Sequence, residues 1–425
     1  MENIQGVLLL VAYCLLVYYT VKGGNLILGF LLSAIAWVVI GRVPYAVAMS
    51  DVFQKAVDIY GPTAIVIMLG SWFGRVLVET GIAGSIIRRA VELGGDKILV
   101  TTILASVATT FIFTGTYGVG AVIAIGVIVL PILLSLGVSE RIATAAYTMS
   151  IGAAMFINIA LFKQIALFFP ANSVPYAGAY FTFALMAMGV SVFFIILMLA
   201  FNLRNGAAKA WAAPVIEAPT VTHVPFYSYI VPLVPVIMAV GFNWGPVPGM
   251  FLAIFLSLLL TGQLRNLQNA QSLTLKALRD GVADVALLLG MLFTLAMFWA
   301  AAGKNAELIK AVLGPIVPSN PWIIAIIFGI VAPLGLFRGP LMPWGAGSAT
   351  IAVLVAMGFF KPTLLLPLIL APGIGMAMSM CPTQSWNLWA ISFTKVGITD
   401  FLKTGVPWAW MASFANALLA VYLFQ

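Results

Sequence analysis

The chain has 425 residues, of which 63% are hydrophobic and 8% charged. Soluble domains carry about 25% charged residues, so this composition excludes a soluble protein and points to a polytopic membrane protein. The formal net charge of +8 rests on few groups; no cluster is dense enough for nucleic acid, and the excess reads as a bias of the loops towards the cytoplasm.

Taken in order, apolar spans are predicted at 4–21, 24–41 and 61–79. Glu2 stands where a cleaved signal would carry basic residues, so 3–21 is expected to be a retained first span. Between the second and third spans, 42–60 is amphipathic and carries Arg42, Asp51, Lys55 and Asp58. Arg75 and Glu79 are one helical turn apart and are expected to pair. Gly70 and Gly74 form a GxxxG spacing, read as helix packing. Residues 81–95 set Ile82, Ile86, Ile87 and Val91 against Arg88, Arg89 and Glu92, the pattern of a short helix lying in the interface. A long apolar stretch, 97–137, is broken by Phe113–Gly120. Spans at 141–161, weakened by Gly152 and Asn158, and at 179–202 complete this half. A polar linker, 203–226, contains the lone His223.

The second half runs similarly. Spans fall at 227–244 and 247–262; an amphipathic segment, 264–280, leads into a span at 281–301, where Asp284 reads as an interfacial cap. A charged interfacial helix follows at 303–314, then a broken stretch at 321–360, a broken span at 363–394 and a last span at 405–424. The stretch Phe337–Ser348 holds three glycines, two prolines and Arg338. Prolines remove backbone donors and glycines loosen the chain, so a continuous membrane helix does not form there. Broken backbone survives at membrane depth only where protein or a water-filled cavity surrounds it, and an arginine at such a place is by default functional.

Landmarks of the two halves match in order. Gly61…Leu69-Gly70 parallels Gly281…Leu289-Gly290, and Gly81…Ile86-Ile87-Arg88 parallels Gly303…Leu308-Ile309-Lys310. Phe113-Thr114-Gly115…Gly120 parallels Phe337-Arg338-Gly339…Gly347, and Gly137…Gly152 parallels Gly358…Gly373. This is the signature of an internal repeat. Each repeat has an odd number of crossings, which makes the repeats inverted. Lys and Arg concentrate in the loops that lie inside when both termini lie outside; Arg42, Lys55, Lys304, Lys310 and Lys361 are the exceptions. The fold expected is therefore an all-α polytopic membrane protein of two inverted repeats, 1–202 and 227–425. Each would hold five spans and a hairpin (97–137 and 321–360), with broken helices at 141–161 and 363–394. Length leaves open whether each hairpin is re-entrant or two full spans, since two spans need roughly 40 residues.

Inverted repeats with broken helices in matching positions point to the midplane site of a secondary transporter. Four breaks qualify: the two Gly-rich tips, Ser150–Asn158, and Ala371–Asn387. Freed amides at half-helix N-termini bind anions, and freed carbonyls bind Na+. Arg338 would anchor a carboxylate as a rigid fork. Thr114, Thr116, Asn158, Ser348, Thr383, Gln384 and Asn387 would supply neutral hydrogen bonds, with Gly115, Gly339 and Gly345 beside them; Tyr117 and Trp344 would line the pocket. Cys14, Cys381 and one histidine make no metal site. No cofactor is expected beyond a coupling Na+ or H+, and without a nucleophile–base pair no enzyme is expected either.

This arrangement resembles the ion transporter superfamily, and most of all its organic-anion branches, the gluconate permeases and citrate- or dicarboxylate-type carriers. The resembling residues are Leu69-Gly70…Gly81-Ile82-Ala83…Ile86-Ile87, the Gly-rich tip before Leu130-Pro131, and the Gly152 break, repeated in the second half. The resemblance implies an elevator-type carrier, usually a homodimer. In it a scaffold stays fixed while two re-entrant hairpins and two broken helices move with the substrate. By position, Thr114–Gly120 would be the inward tip and Arg338–Ser348 the outward one. The expected function is transport of a small organic anion, a gluconate- or citrate-like mono- or dicarboxylate, across the plasma (inner) membrane, coupled to H+ or Na+. The partners would be that anion, membrane lipid and a second copy, with no nucleic acid. The alternative is a cation–proton exchanger of the same superfamily, which would want buried carboxylates at the breaks; none of the four contains Asp or Glu.

Overall fold

The computed structural model describes residues 2–170, 172–203 and 224–425, and these are helical with no strand among them. Residues 204–223 of the expected linker, His223 included, lie outside the described residues. In hydrocarbon a backbone has to satisfy its own polar groups, and this apolar chain does so with helices. The first half contains α1 (Glu2–Val21), α2 (Leu26–Ile40) and α3 (Tyr45–Val47), then a π-helical turn (Ala48–Gln54) into α4 (Lys55–Glu79). It continues with α5 (Ile82–Gly94), α6 (Ile98–Phe113), α7 (Val119–Ser135), α8 (Glu140–Met155), α9 (Ile159–Ala166) and α10 (Ala179–Leu203). In the second half a 3-10 turn (Phe226–Leu233) enters α11 (Val234–Gly241), followed by α12 (Pro246–Leu260), α13 (Leu267–Lys304), α14 (Ala306–Leu313) and α15 (Pro321–Ile330). A second 3-10 turn (Ala332–Arg338) leads towards α16 (Gly347–Met357). Then come α17 (Pro362–Pro372) with a π turn (Gly373–Met378), α18 (Ser385–Thr394) and α19 (Ile398–Phe424). The order of long, short and broken elements in 2–203 recurs in 226–424.

Among the described residues, five helices are long and apolar enough to cross a membrane: Asn3–Val21, Tyr45–Glu79, Ala179–Leu203, Leu267–Lys304 and Ile398–Phe424. Two bent pairs reach that length together: α8 with α9, bent by 64°, and α15 with the 3-10 turn after it, bent by 54°. The amphipathic segments expected at 42–60 and 264–280 are not separate surface elements. Each winds directly into the span that follows, and α13 is one helix of 38 residues, about 57 Å long at 1.5 Å per residue.

The α4 and α13 helices run antiparallel and pack along their length. Gly281 brings them close, since a β-carbon there would come within 2.9 Å of the Trp72 backbone. Three ion pairs lace them. Lys304 meets Asp51 at 2.6 Å at one end, Lys276 meets Glu79 at 2.9 Å at the other, and between them Arg75 holds Asp284. The expected Arg75–Glu79 pair does not form, and Asp284 is no cap. Arg75 grips Asp284 with two parallel bonds, Nε to Oδ2 at 2.7 Å and Nη2 to Oδ1 at 2.8 Å. Such a fork is stronger than the single contact that residues on one helix can make. Glu79 is thereby left for Lys276.

A second antiparallel pair, α10 and α19, is joined by Phe183 to Phe424, Phe201 to Trp408, and the Asn416 amide donating to Ala187 O at 3.3 Å. Around α4 and α13 stand α1, α2, α12 and α14, with Trp37 edge-on to Phe298 at 5.0 Å. Of the rest, α6–α8, α10, α15 and α17–α19 pack mainly on one another. The two sets meet where α7 and α9 lie on α4, and α16 lies on α13.

Candidate functional site

The first tip is Thr114–Gly118, between α6 and α7, and it is buried within the protein. Hydroxyls close the end of α6: Thr114 Oγ1 donates to Phe111 O at 2.7 Å and Thr116 Oγ1 to Ile112 O at 3.2 Å. The tip's own carbonyls are closed from outside by Asn158, whose Nδ2 donates to Phe113 O at 3.0 Å and to Thr116 O at 2.9 Å. Asn158 Oδ1 meanwhile caps α9, accepting from Ala160 N and Leu161 N at 3.0 and 3.1 Å. One side chain therefore fixes the tip to the second half of the broken helix. The helix itself breaks at Phe156–Asn158; Gly152, expected to weaken it, stays helical. Gly118 turns the chain with φ 108, a conformation in which a side chain is strained.

The second tip is tighter. Phe337 and Arg338 both have left-handed backbone, φ 52 and 61, at about 1–2 kcal/mol each for non-glycine residues. Ala346 N bonds back to Arg338 O at 2.9 Å and Gly347 N to Gly339 O at 3.1 Å. Gly345 lies flat on the Arg338 backbone, where a β-carbon would stand 2.6 Å from the carbonyl oxygen. Ser348 Oγ donates to Gly345 O at 2.7 Å. Gly339, Gly345 and Ser348 thus shape this tip. Tyr13 of α1 reaches its descending arm through Thr350 Oγ1 at 2.6 Å.

Arg338 is half-buried. Its guanidinium donates to Thr383 O at 3.3 Å and makes no ion pair among the described residues. Thr383 belongs to the second break, where the chain leaves the helix over Cys381–Gln384. Asn387 closes that break: Nδ2 donates to Met378 O and Cys381 O, both at 3.0 Å, while its buried Oδ1 has no partner. Gln384 is the cap residue of α18 but makes no side-chain cap bond.

The tips meet at a residue that sequence reasoning passed over. Gln164 Oε1, on α9, accepts from Tyr117 OH of the first tip at 3.2 Å and from Trp344 Nε1 of the second at 2.9 Å. Trp386 of α18 stands edge-on to Tyr117 at 6.4 Å. Gln164 also faces a narrow apolar cleft between α4, α9 and α13, with Tyr60, Phe168, Leu295 and Trp299 on its walls. The buried Tyr60 hydroxyl has no partner. A lone amide in the apolar run 159–169 was the available signal for Gln164. The Gly70/Gly74 spacing packs α4 on its neighbours and receives the first tip: Gly70 lies against Ala160 of α9 and Tyr117, and Gly74 against Ala121 of α7 and Thr116.

No family model matches the chain, and no curated protein matches it. Among solved structures the chain is similar to the Alcanivorax borkumensis YdaH transporter, whose crystal structure is described as having an unusual topology. The identity is 15% and the TM-score 0.60, over 94% of this chain and 98% of that one. The likeness is one of fold.

Proposed function

We propose that the chain is a secondary active transporter of a small organic anion, a mono- or dicarboxylate, working by an elevator mechanism coupled to H+ or Na+. The observation that carries this reading is the convergence of both broken tips on Gln164, beside a cleft at the seam between two helix sets. Helices holding the same place in each half, α4 with α13 and α10 with α19, lie side by side in opposite directions. That is how inverted repeats pair across a two-fold axis in the membrane plane. The buried turns of both hairpins favour re-entrant arms over full spans, since non-helical backbone at depth needs protein around it. Arg338 supports the anionic substrate. It is a fork with donors to spare and, among the described residues, no acid on it, next to the opened backbone of the second break. A multi-pass place in the plasma (inner) membrane, both termini outside, and a homodimer complete the proposal.

The test is uptake of radiolabelled mono- and dicarboxylates by the purified protein in proteoliposomes, under separate H+ and Na+ gradients. The expected result is accumulation by the unaltered protein, and loss of roughly 30-fold or more in apparent affinity for Arg338→Lys and Arg338→Ala. Absence of any carboxylate uptake, or near-normal affinity in Arg338→Lys, overturns the reading.

A further inference from the structure

The first hairpin sits directly on the Arg75–Asp284 pair. A β-carbon on Gly120, the second residue of α7, would overlap both Asp284 Oδ2 and Arg75 Nη2. Only a glycine lets the helix start there. The first amides of α7 have no intrahelical acceptor, and the N-terminus carries about half a positive charge. Docking the hairpin therefore lays a positive helix end on the carboxylate. Next to it, Gly118 covers Ser71 Oγ, a hydroxyl buried to 1% exposure and without a hydrogen-bond partner. The seat is thus not closed by internal bonding, and its one carboxylate is held between a guanidinium and a helix end.

The other described carboxylates are exposed, save Asp51 and Asp280, which are half-buried. The groups facing Asp284 are few. From α4 come Arg75 and Glu79; along α13 stand Asp280 and Lys276. Of the helices packed on α4 and α13, α2, α7, α12 and α16 carry no charged side chain, and neither does the tip; α5 carries Arg88, Arg89 and Glu92, and α9 carries Lys163.

We infer that Asp284 is the site at which a proton is taken up and released in step with the undocking and docking of the first hairpin. The inference rests on the transporter reading and deepens it by placing the coupling proton. When the hairpin lifts, water reaches Asp284 and a proton from that water adds to its oxygen. The Arg75 fork then loses its anion while Arg75 keeps its own proton. Redocking returns the proton to water on the side the site then faces.

The experiment has two arms. In the first, Ser71→Cys in a Cys14→Ser background is alkylated by a membrane-permeant maleimide in buffers from acid to neutral. Each rate is divided by that of the same protein unfolded at the same pH, which removes the thiol's own titration. The expected result is alkylation several-fold faster in acid, equally fast at every pH once Asp284→Asn is added, and an onset at higher pH with Arg75→Gln. A rate that does not change with pH before Asp284 is altered, or an acid dependence that survives Asp284→Asn, overturns the inference. In the second arm, Asp284→Asn is expected to keep substrate counterflow while losing its response to a proton gradient; an unchanged response also overturns it. If no substrate is carried at all, the transporter reading fails, and the alkylation arm still decides the role of Asp284.

Discussion

Gly152 of α8 lies against Ser379, just beyond the π turn of the other broken helix, so closely that a β-carbon on Gly152 would overlap the serine Oγ. The two broken helices therefore cross backbone to side chain. Gly152→Ala is expected to destabilise the protein by about 1–3 kcal/mol, the usual penalty of overpacking. Adding Ser379→Gly should recover much of it. Thermal unfolding of the purified single and double variants in detergent checks this, and a double variant no better than Gly152→Ala refutes the crossing.

Asn158 gives a sharper test, because its two ends do different work. Asn158→Asp keeps the oxygen that caps α9 but loses the donor that closes Phe113 O and Thr116 O. Each buried carbonyl left open costs about 1–3 kcal/mol. Hydrogen exchange should rise over the first tip while α9 stays protected. In Asn158→Ala both regions should open, since the cap is lost as well. Equal protection of the tip in both variants and the unaltered protein counts against this role.

Gln164 joins the tips through its oxygen alone, so Gln164→Glu retains an acceptor and Gln164→Leu does not. The leucine variant leaves Tyr117 OH and Trp344 Nε1 buried without a partner, a loss of about 1–3 kcal/mol. Uptake should fall about tenfold or more in Gln164→Leu and stay closer to normal in Gln164→Glu. Equal uptake by the two would show that the junction is packing only.

The proposed orientation is open to labelling. In a Cys14→Ser background, a cysteine at Gln268 should react with a membrane-impermeant reagent only from the cytoplasmic side, and one at Pro318 only from outside. The structure already sets Asp51 and Lys304 at one end of the α4–α13 pair and Glu79 and Lys276 at the other. Reversed labelling at either position removes the orientation that Lys and Arg suggested.

Much of the architecture was legible because hydrocarbon allows so few solutions. The runs before Glu79 and Lys304 had to be helices, and the glycines and prolines of 113–120 and 337–348 had to end them. What could not be read was partnership at a distance. Arg75 and Glu79 satisfied a spacing rule on one helix, yet the acid that Arg75 holds lies 209 residues away. Local spacing says nothing about which face of α4 meets α13. For the same reason Gln164 went unnoticed: its meaning comes from Tyr117 and Trp344, 47 and 180 residues off. The breaks drew attention for their composition, and their neighbours offered no such cue. Gly152 misled because a glycine needed for close approach looks in sequence like one that ends a helix.

The contact between α4 and the first tip sets a glycine against a side chain at each point: Gly70 and Gly74 take Tyr117, Thr116 and Ala121, while Gly118 and Gly120 lie over Ser71, Arg75 and Asp284. Interlocked side chains resist sliding because each has to change rotamer before its neighbour can pass. A glycine on one side of each contact leaves few such catches and no room for added volume. The Arg75–Asp284 pair and the Ser71 hydroxyl are the polar points beneath it.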